Sequence, residues 1–502
     1  MTLYSKGAAG GGRCMSCARG MLVAAAAAGL LGAGLVGCAA VGPDFVAPEA
    51  IDTPRTYRHA DPGVESQVTS LPAAWWTLFG DTVLDELERQ AEQRNSSVKE
   101  AASRLLQMRA QQSGTRASVL PTLSAGASAE NLRTSGNTPQ GMALRGHSVS
   151  GNQYAAGLSM SYEIDLWGRL RRVMEAADAQ VDAAVADRDA VRLLLSTQLA
   201  TTYWQWRGAQ AEAASAARMF NAYEEAAQLV ADRFESGLAG EQDVSRARID
   251  RENAAVELEG LKREVDVLEH AIATLVGRPA TTPLPAQWNT DAALPAPPAV
   301  APGLPASLVR QRPDLAASHA QLRAASAQVG VAQAAFYPSI QLTGSYGYAS
   351  EELRRFLDGN SRQYDFGPLR VTLPIFDGGR NQANLLLAKA RYEEAVETHR
   401  DKVLGALREV EDALSDSEHR RAQAQHLDRA RQEAARAVEV ARTRHERGLV
   451  TYIEVLNARR AELSVERAAI QVHTQRLMSS VALVRAVGGG WTPAPEEASA
   501  PL

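Results

Sequence analysis

The chain has 502 residues, only 5% of them aromatic, and a formal charge of −5 at neutral pH. That mildly acidic balance leaves no basic footprint for nucleic acid. No stretch beyond residue 40 is apolar for 18 residues, so no transmembrane helix is predicted in the processed chain.

The first 37 residues read as a targeting segment. Arg13 and Arg19 form a basic front, Met21 to Val36 an apolar core, and "LVGC" (Leu35–Cys38) a lipobox, in which Cys38 becomes the lipidated first residue. An ordinary signal peptide with a chance cysteine would look similar. Loss of Lys6, Arg13 and Arg19 with this leader takes the formal charge from −5 to −8. Cys14 and Cys17 leave with it, so Cys38 is the one remaining cysteine and no intrachain disulfide is expected. Ala39 is not the aspartate that retains lipoproteins at the inner membrane, so outward sorting is expected. The G-x-G-x-x-G of Gly32–Gly37 follows no strand and carries no weight as a dinucleotide site.

Residues 38–95 form an N-terminal extension and equatorial segment. Two tandem copies of one pattern follow, at 96–278 and 314–487. A Pro-rich linker joins them at 279–313, and 488–502 is a tail. "RFESGLAGEQDV" (Arg233–Val244) and "RHERGLVTYIEV" (Arg444–Val455) lie 211 residues apart, as do Gly168 and Gly379. Pro121 and Pro338 lie 217 apart.

Each copy predicts the same elements. A helix of about 23 residues stops before proline. Two strands follow, then a helix of roughly 100 Å from Gly168 to Gly237 or from Gly379 to Gly448. A last helix covers 241–276 or 452–487. The strands alternate. Leu123, Ala125 and Ala127 oppose Ser124 and Ser128, and Leu158, Met160, Tyr162 and Ile164 oppose Ser159, Ser161 and Glu163. Ile340, Leu342, Tyr346 and Tyr348 oppose Gln341, Thr343 and Ser345. Leu369, Val371, Leu373 and Ile375 oppose Arg370 and Thr372. This fits a membrane β-barrel with a wet interior, although a soluble two-layer sheet would alternate too. Four strands cannot close a barrel with a polar lumen, and lipid tolerates no open edge, so a membrane role requires several chains per barrel.

The repeated turns have a complete local account. Gly237 and Gly448 take positive φ and end the long helices. Thr451 to Glu454 spells a capping box, and Asp243 and Glu454 sit where an acid favours the helix dipole. No catalytic or metal-binding constellation appears, and no cofactor is expected.

The chain resembles the TolC-like outer-membrane factors, specifically the NodT-type efflux lipoproteins. The resemblance rests on "CAAVGPDFVAP", "WWTLFGDTVLDEL", "SYEIDLWGR", "LVRQRPDL", "PIFDGGR" and "GGGW", in family order along nearly the whole processed chain. It implies a mainly α protein with a transmembrane β part: a homotrimer with an α-barrel tunnel and a 12-stranded β-barrel, four strands per chain. It implies a periplasmic adaptor and an inner-membrane pump of the resistance-nodulation-division class as partners, and outer-membrane lipid as surroundings. The implied function is a passive, gated exit duct for drugs or other small molecules, anchored by lipid in the outer membrane and extending into the periplasm. Alternatives are a type I secretion exit duct and a structural periplasmic coiled-coil lipoprotein.

The resemblance also assigns a periplasmic gate to Asp243, Arg444, His445, Glu454 and Asn457, with adaptor contact at Gly237, Leu238, Gly448 and Leu449. Asp243 matches a bridging acid and is expected to pair with Arg444 or His445 across neighbouring hairpins. If His445 contributes, the latch loosens as its imidazole deprotonates. Val450 replaces an arginine of some relatives. Glu454 matches an acidic ring that favours cations, and Asn457 replaces a second acid, which weakens that ring.

Overall fold

A computed structural model describes residues 40–49, 51, 56–59, 71–139, 142, 145, 147–285, 293–303 and 311–492. The leader, Cys38, part of the linker and the end of the tail lie outside these residues. The chain divides into two compact units.

The first unit takes in the chain up to Val46, Gln112–Asp178 and Arg323–Tyr392. Its centre is an antiparallel sheet of β1 (Thr122–Arg133), β2 (Ser150–Ile164), β3 (Ser339–Ser350) and β4 (Arg362–Thr372), in that order. Leu123 lies opposite Met160, Leu158 opposite Tyr346, and Leu342 opposite Leu369. The register slips once, between Leu342 and Gly344, because Gly344 is opposite Phe366. Gly367 and Pro368 therefore face Thr343 alone, and Gly367 has φ +87°. This is a bulge with glycine in the left-handed region. One extra residue restores the phase, so Tyr364 and Phe366 share a face with Leu369 and Val371.

The expected strand residues Leu373 and Ile375 fall beyond β4, which ends at Thr372. Pro374 supplies no N–H to continue the ladder. At this same end of the sheet, just past β2, a strap formed by Ala40–Asp44 is pinned. Val41 N–H donates to the Trp167 carbonyl at 2.8 Å, and the buried Arg172 bonds Asp44 at 2.7 Å and Glu175 at 2.8 Å. A Cβ on Gly168 would stand 2.4 Å from the Cβ of Ala40, so the strap approaches closely only because residue 168 is glycine.

The second unit takes in Ala47–Gln111, Ala179–Leu322 and from Glu393 onward. A 3-10 turn, Trp75–Phe79, precedes α1 (Thr82–Arg94), whose N-cap Asp81 accepts from Val83 and Leu84 N–H at 2.9 and 3.1 Å. Helix α2 is Ser96–Ala117, α3 Arg169–Glu235, α4 Glu241–Leu275, α5 Pro313–Ala334, α6 Arg380–Glu446 and α7 Tyr452–Val487. The long helices α3 and α6 each have 67 residues, roughly 100 Å. The predicted helices thus match within a residue or two at each end. Isolated helices gain stability from neighbours, and here the second unit supplies an aromatic core. Trp75, Phe79, Tyr203, Trp204 and Trp206 are buried, with Phe79 and Trp204 ring centres 5.3 Å apart.

The linker residues 279–285 and 293–303 form neither helix nor strand but are tied down. Leu284 N–H donates to Glu269 at 2.8 Å, and His473 Nε2 donates to the Pro295 carbonyl at 2.8 Å. At the start of α5 the buried Arg312 bonds Asp314, Glu409 on α6 and the Ala486 carbonyl on α7.

Candidate channel wall and gate

One face of the sheet is continuous in apolar side chains. Leu123, Ala125, Ala127 and Ala129 of β1 register with Met160, Leu158, Ala156 and Tyr154 of β2, and then with Tyr346 and Tyr348 of β3. The bulge brings in Tyr364, Phe366, Leu369 and Val371 of β4, which are 56–69% exposed. So large an exposed apolar patch requires covering by lipid or protein. The opposite face carries Ser124, Ser128, Ser159, Ser161, Gln341, Thr343 and Arg370, and Ser124 bonds Ser159 at 2.8 Å.

Gly126, Gly157 and Gly347 stand in one cross-strand row on that polar face. A Cβ on Gly157 would meet the Tyr346 carbonyl oxygen at 2.7 Å, and one on Gly347 the Ala156 oxygen at 2.4 Å. Only glycine permits this close approach at positions 157 and 347. The outer edges of β1 and β4 pair with no other described strand. The alternation and the open edges suit one sector of a barrel with a wet interior.

No described helix is long and apolar enough to cross a membrane. Among the described residues, no group of three metal-ligating side chains is assembled.

The two turns at the far ends of α3 and α6 are built alike. Gly237 N–H donates to the Phe234 carbonyl at 2.9 Å and Leu238 N–H to that of Arg233 at 2.7 Å. Gly448 N–H donates to His445 at 2.8 Å and Leu449 N–H to Arg444 at 2.9 Å. Each is a Schellman motif with glycine in the left-handed region, at φ +74° and +70°. The motif ordinarily rests its final residue on an apolar one five positions back. Here that position is Arg233 or Arg444, so Leu238 and Leu449 stay 74% and 65% exposed.

The second helix of each hairpin starts differently. Asp243 Oδ2 accepts from Gly240 N–H at 3.2 Å, closing the first-half turn. The expected capping box at Thr451 is not made: its side chain forms no cap hydrogen bond, and Glu454 is exposed. The Glu454 N–H donates to the Thr451 carbonyl at 3.1 Å. Instead His445 Nδ1–H donates to the Val450 carbonyl at 3.1 Å, and its ring centre lies 5.5 Å from that of Tyr452. The carbonyl can only accept, which fixes the hydrogen on Nδ1.

Asp243 and His445 are thus each engaged within their own hairpin. Arg444, Glu454 and Asn457 are exposed, with Glu454 and Asn457 one turn apart on α7. The His445–Tyr452 contact escaped the sequence reading, because only the turn brings residues seven apart together.

A family model described as outer membrane efflux protein matches residues 87–278 and 304–489. The chain is 33% identical over 428 residues to outer membrane protein OprJ of Pseudomonas aeruginosa, covering 83% of this chain and 86% of that protein. It is 30% identical over 423 residues to the probable outer membrane lipoprotein SilC of Salmonella typhimurium, covering 83% and 88%. The crystal structure of the Campylobacter jejuni CmeC outer membrane channel matches with a TM-score of 0.83 at 26% identity, covering 91% of this chain and 96% of that one.

Proposed function

The chain belongs to the outer membrane efflux protein family, and from that premise we propose that three copies close one 12-stranded barrel around a gated, passive exit duct. It is an outer-membrane efflux channel and not an enzyme. The observation that carries the trimeric reading is the four-stranded sheet itself, apolar on one exposed face and unpaired at both edges among the described residues. Lipid can cover the face, but only further strands can satisfy the edges.

In this reading Cys38 carries the lipid. It lies two residues before Ala40, which the strap holds against Gly168 beside the end of β2, so the acyl chains would enter the same membrane as the sheet. The relative SilC is itself named a probable lipoprotein. At the other functional end, the exposed Leu238 and Leu449 offer apolar knobs to a periplasmic adaptor, which would join the channel to an inner-membrane pump of the resistance-nodulation-division class. Asp243, Arg444 and His445 would hold the closed tip across neighbouring hairpins, and Glu454 would favour cations. Drugs or other small molecules would pass without being bound.

Reconstitution of the purified protein into planar bilayers tests the reading. A heat-modifiable trimer from outer-membrane fractions with discrete conductance steps is expected. A monomer without conductance would overturn it.

A further inference from the structure

A cavity of about 360 Å³ opens in the second unit, beside the Trp75–Phe79 turn, with Trp75, Trp76 and Trp491 in its lining. Glu88 of α1 lines it too. This carboxyl is 3% exposed, and its Oε1 has no hydrogen-bond partner among the described residues. An unpartnered buried carboxyl is costly where an apolar side chain would fit, so its presence asks for a ligand.

The charges around it show what kind. Asp85 and Glu92 flank Glu88 on α1, and Arg188, Asp189 and Arg192 approach from α3. Both cations are already engaged. Arg188 pairs with Asp189 at 2.7 Å, and Arg192 lies 3.9 Å from both Glu92 and Asp189. Trp491 Nε1–H also donates to Asp189, at 3.1 Å. The lining therefore sets three carboxylates, Glu88, Glu92 and Asp189, against two guanidinium groups. Glu88 is the one left over. Burial, reinforced by Glu92 and Asp85, raises its pKa well above the ordinary carboxylate range, which favours the protonated carboxyl while the cavity is empty.

We propose that this cavity binds a flat, lipophilic organic cation, with Glu88 as its counter-ion and the indole rings as its walls. Indole faces attract cations, and the attraction grows when water is excluded. Binding ionises Glu88: the proton leaves its carboxyl for solvent, and the cation takes its place beside the carboxylate. Affinity therefore rises with pH, up to a limit of about tenfold per unit while the empty site remains protonated.

The test is calorimetry on the purified full-length channel with 1-methylquinolinium, using neutral quinoline at pH 8 as a counterpart of similar shape. Wild type is expected to bind the cation at least tenfold tighter than quinoline, more tightly at pH 8 than at pH 6, and with release of about one proton. Glu88→Gln, which keeps the side-chain shape, should bind at least tenfold more weakly and without pH dependence. Trp76→Ala should weaken binding while preserving proton release. Equal binding by Glu88→Gln, equal affinity for quinoline, absence of proton release or failure of wild type to bind would each overturn the proposal. None of these readouts depends on conduction, so the outcome stands apart from that of the bilayer experiment.

Discussion

Ile340 lies opposite Val371 in the β3–β4 hairpin. That pairing is the image of Leu123 opposite Met160 in the first hairpin, shifted by the two offsets of the internal repeat, 217 residues for the first strand and 211 for the second. The same shift carries Ala125 opposite Leu158 onto Leu342 opposite Leu369, which is also observed.

Applied to the β2–β3 junction, the shift gives the register between β4 of one copy and β1 of the next. Ile164 opposite Ile340 becomes Ile375 opposite Leu123, and Met160 opposite Gly344 becomes Val371 opposite Ala127. Both pairs join the apolar face to the apolar face. Leu373 and Ile375, outside any strand in the single chain, would then extend β4 as the sequence pattern suggested. Cysteines placed by Val371→Cys and Ala127→Cys are expected to give covalent trimers on oxidation, whereas Val371→Cys with Asn131→Cys should not. Within one chain β1 and β4 are separated by three strand spacings, roughly 14 Å, too far for a disulfide. Cross-linking that is indifferent to register would refute the model.

For the tip, Asp243→Ala should raise single-channel conductance by weakening closure. The lost turn hydrogen bond should cost no more than about 1 kcal/mol, leaving the thermal stability of the trimer nearly unchanged. Unaltered closure and conductance would sink the assignment. Glu454→Gln should move the reversal potential in a salt gradient toward zero, and an unchanged potential would remove Glu454 from the selectivity ring.

Glu88 also makes stability depend on pH. Its folded pKa is raised above the unfolded value, so over the interval between them the folded chain holds a proton that the unfolded chain has released. Stability therefore falls as pH rises through that interval. Without a bound cation, Glu88→Gln should melt at a higher temperature than wild type at pH 8, and the difference should vanish below about pH 4, where the unfolded carboxyl is protonated as well. Parallel melting curves across pH would contradict this.

Arg312 ties the start of α5 to α6 and α7. Arg312→Ala should cost about 2 kcal/mol, less than a fully buried pair, because Asp314 and Glu409 are exposed enough to be rehydrated. Chemical denaturation of the detergent-solubilised trimer measures it.

The helices were legible because their signals are local: prolines after α2 and α5, glycines at 237 and 448, and a repeat that reports each element twice. The strand faces were legible from alternation, but only up to the bulge. Tyr364 and Phe366 are out of phase with Leu369 in sequence, and Gly367-Pro368 reads as a turn rather than as one inserted residue. Of the candidate gate, the glycine turns could be read directly, while the choice between Thr451 and His445 as the local hydrogen-bonding group depended on side-chain geometry. The Glu88 cavity left no sequence signal, since α1, α3 and the Gly488–Trp491 segment meet only in the folded unit.

The bulge at Gly367 gives β4 something like a reading frame. Read from Thr372 toward the loop, the strand keeps its lipid-facing residues on odd numbers to Leu369 and on even numbers from Phe366. Loss of that one residue would act as a frameshift, turning Tyr364 and Phe366 inward and Asp365 and Gln363 outward to the hydrocarbon. Insertions at the hairpin loop carry no such penalty. Within the strand, length can change harmlessly only by two residues at a time.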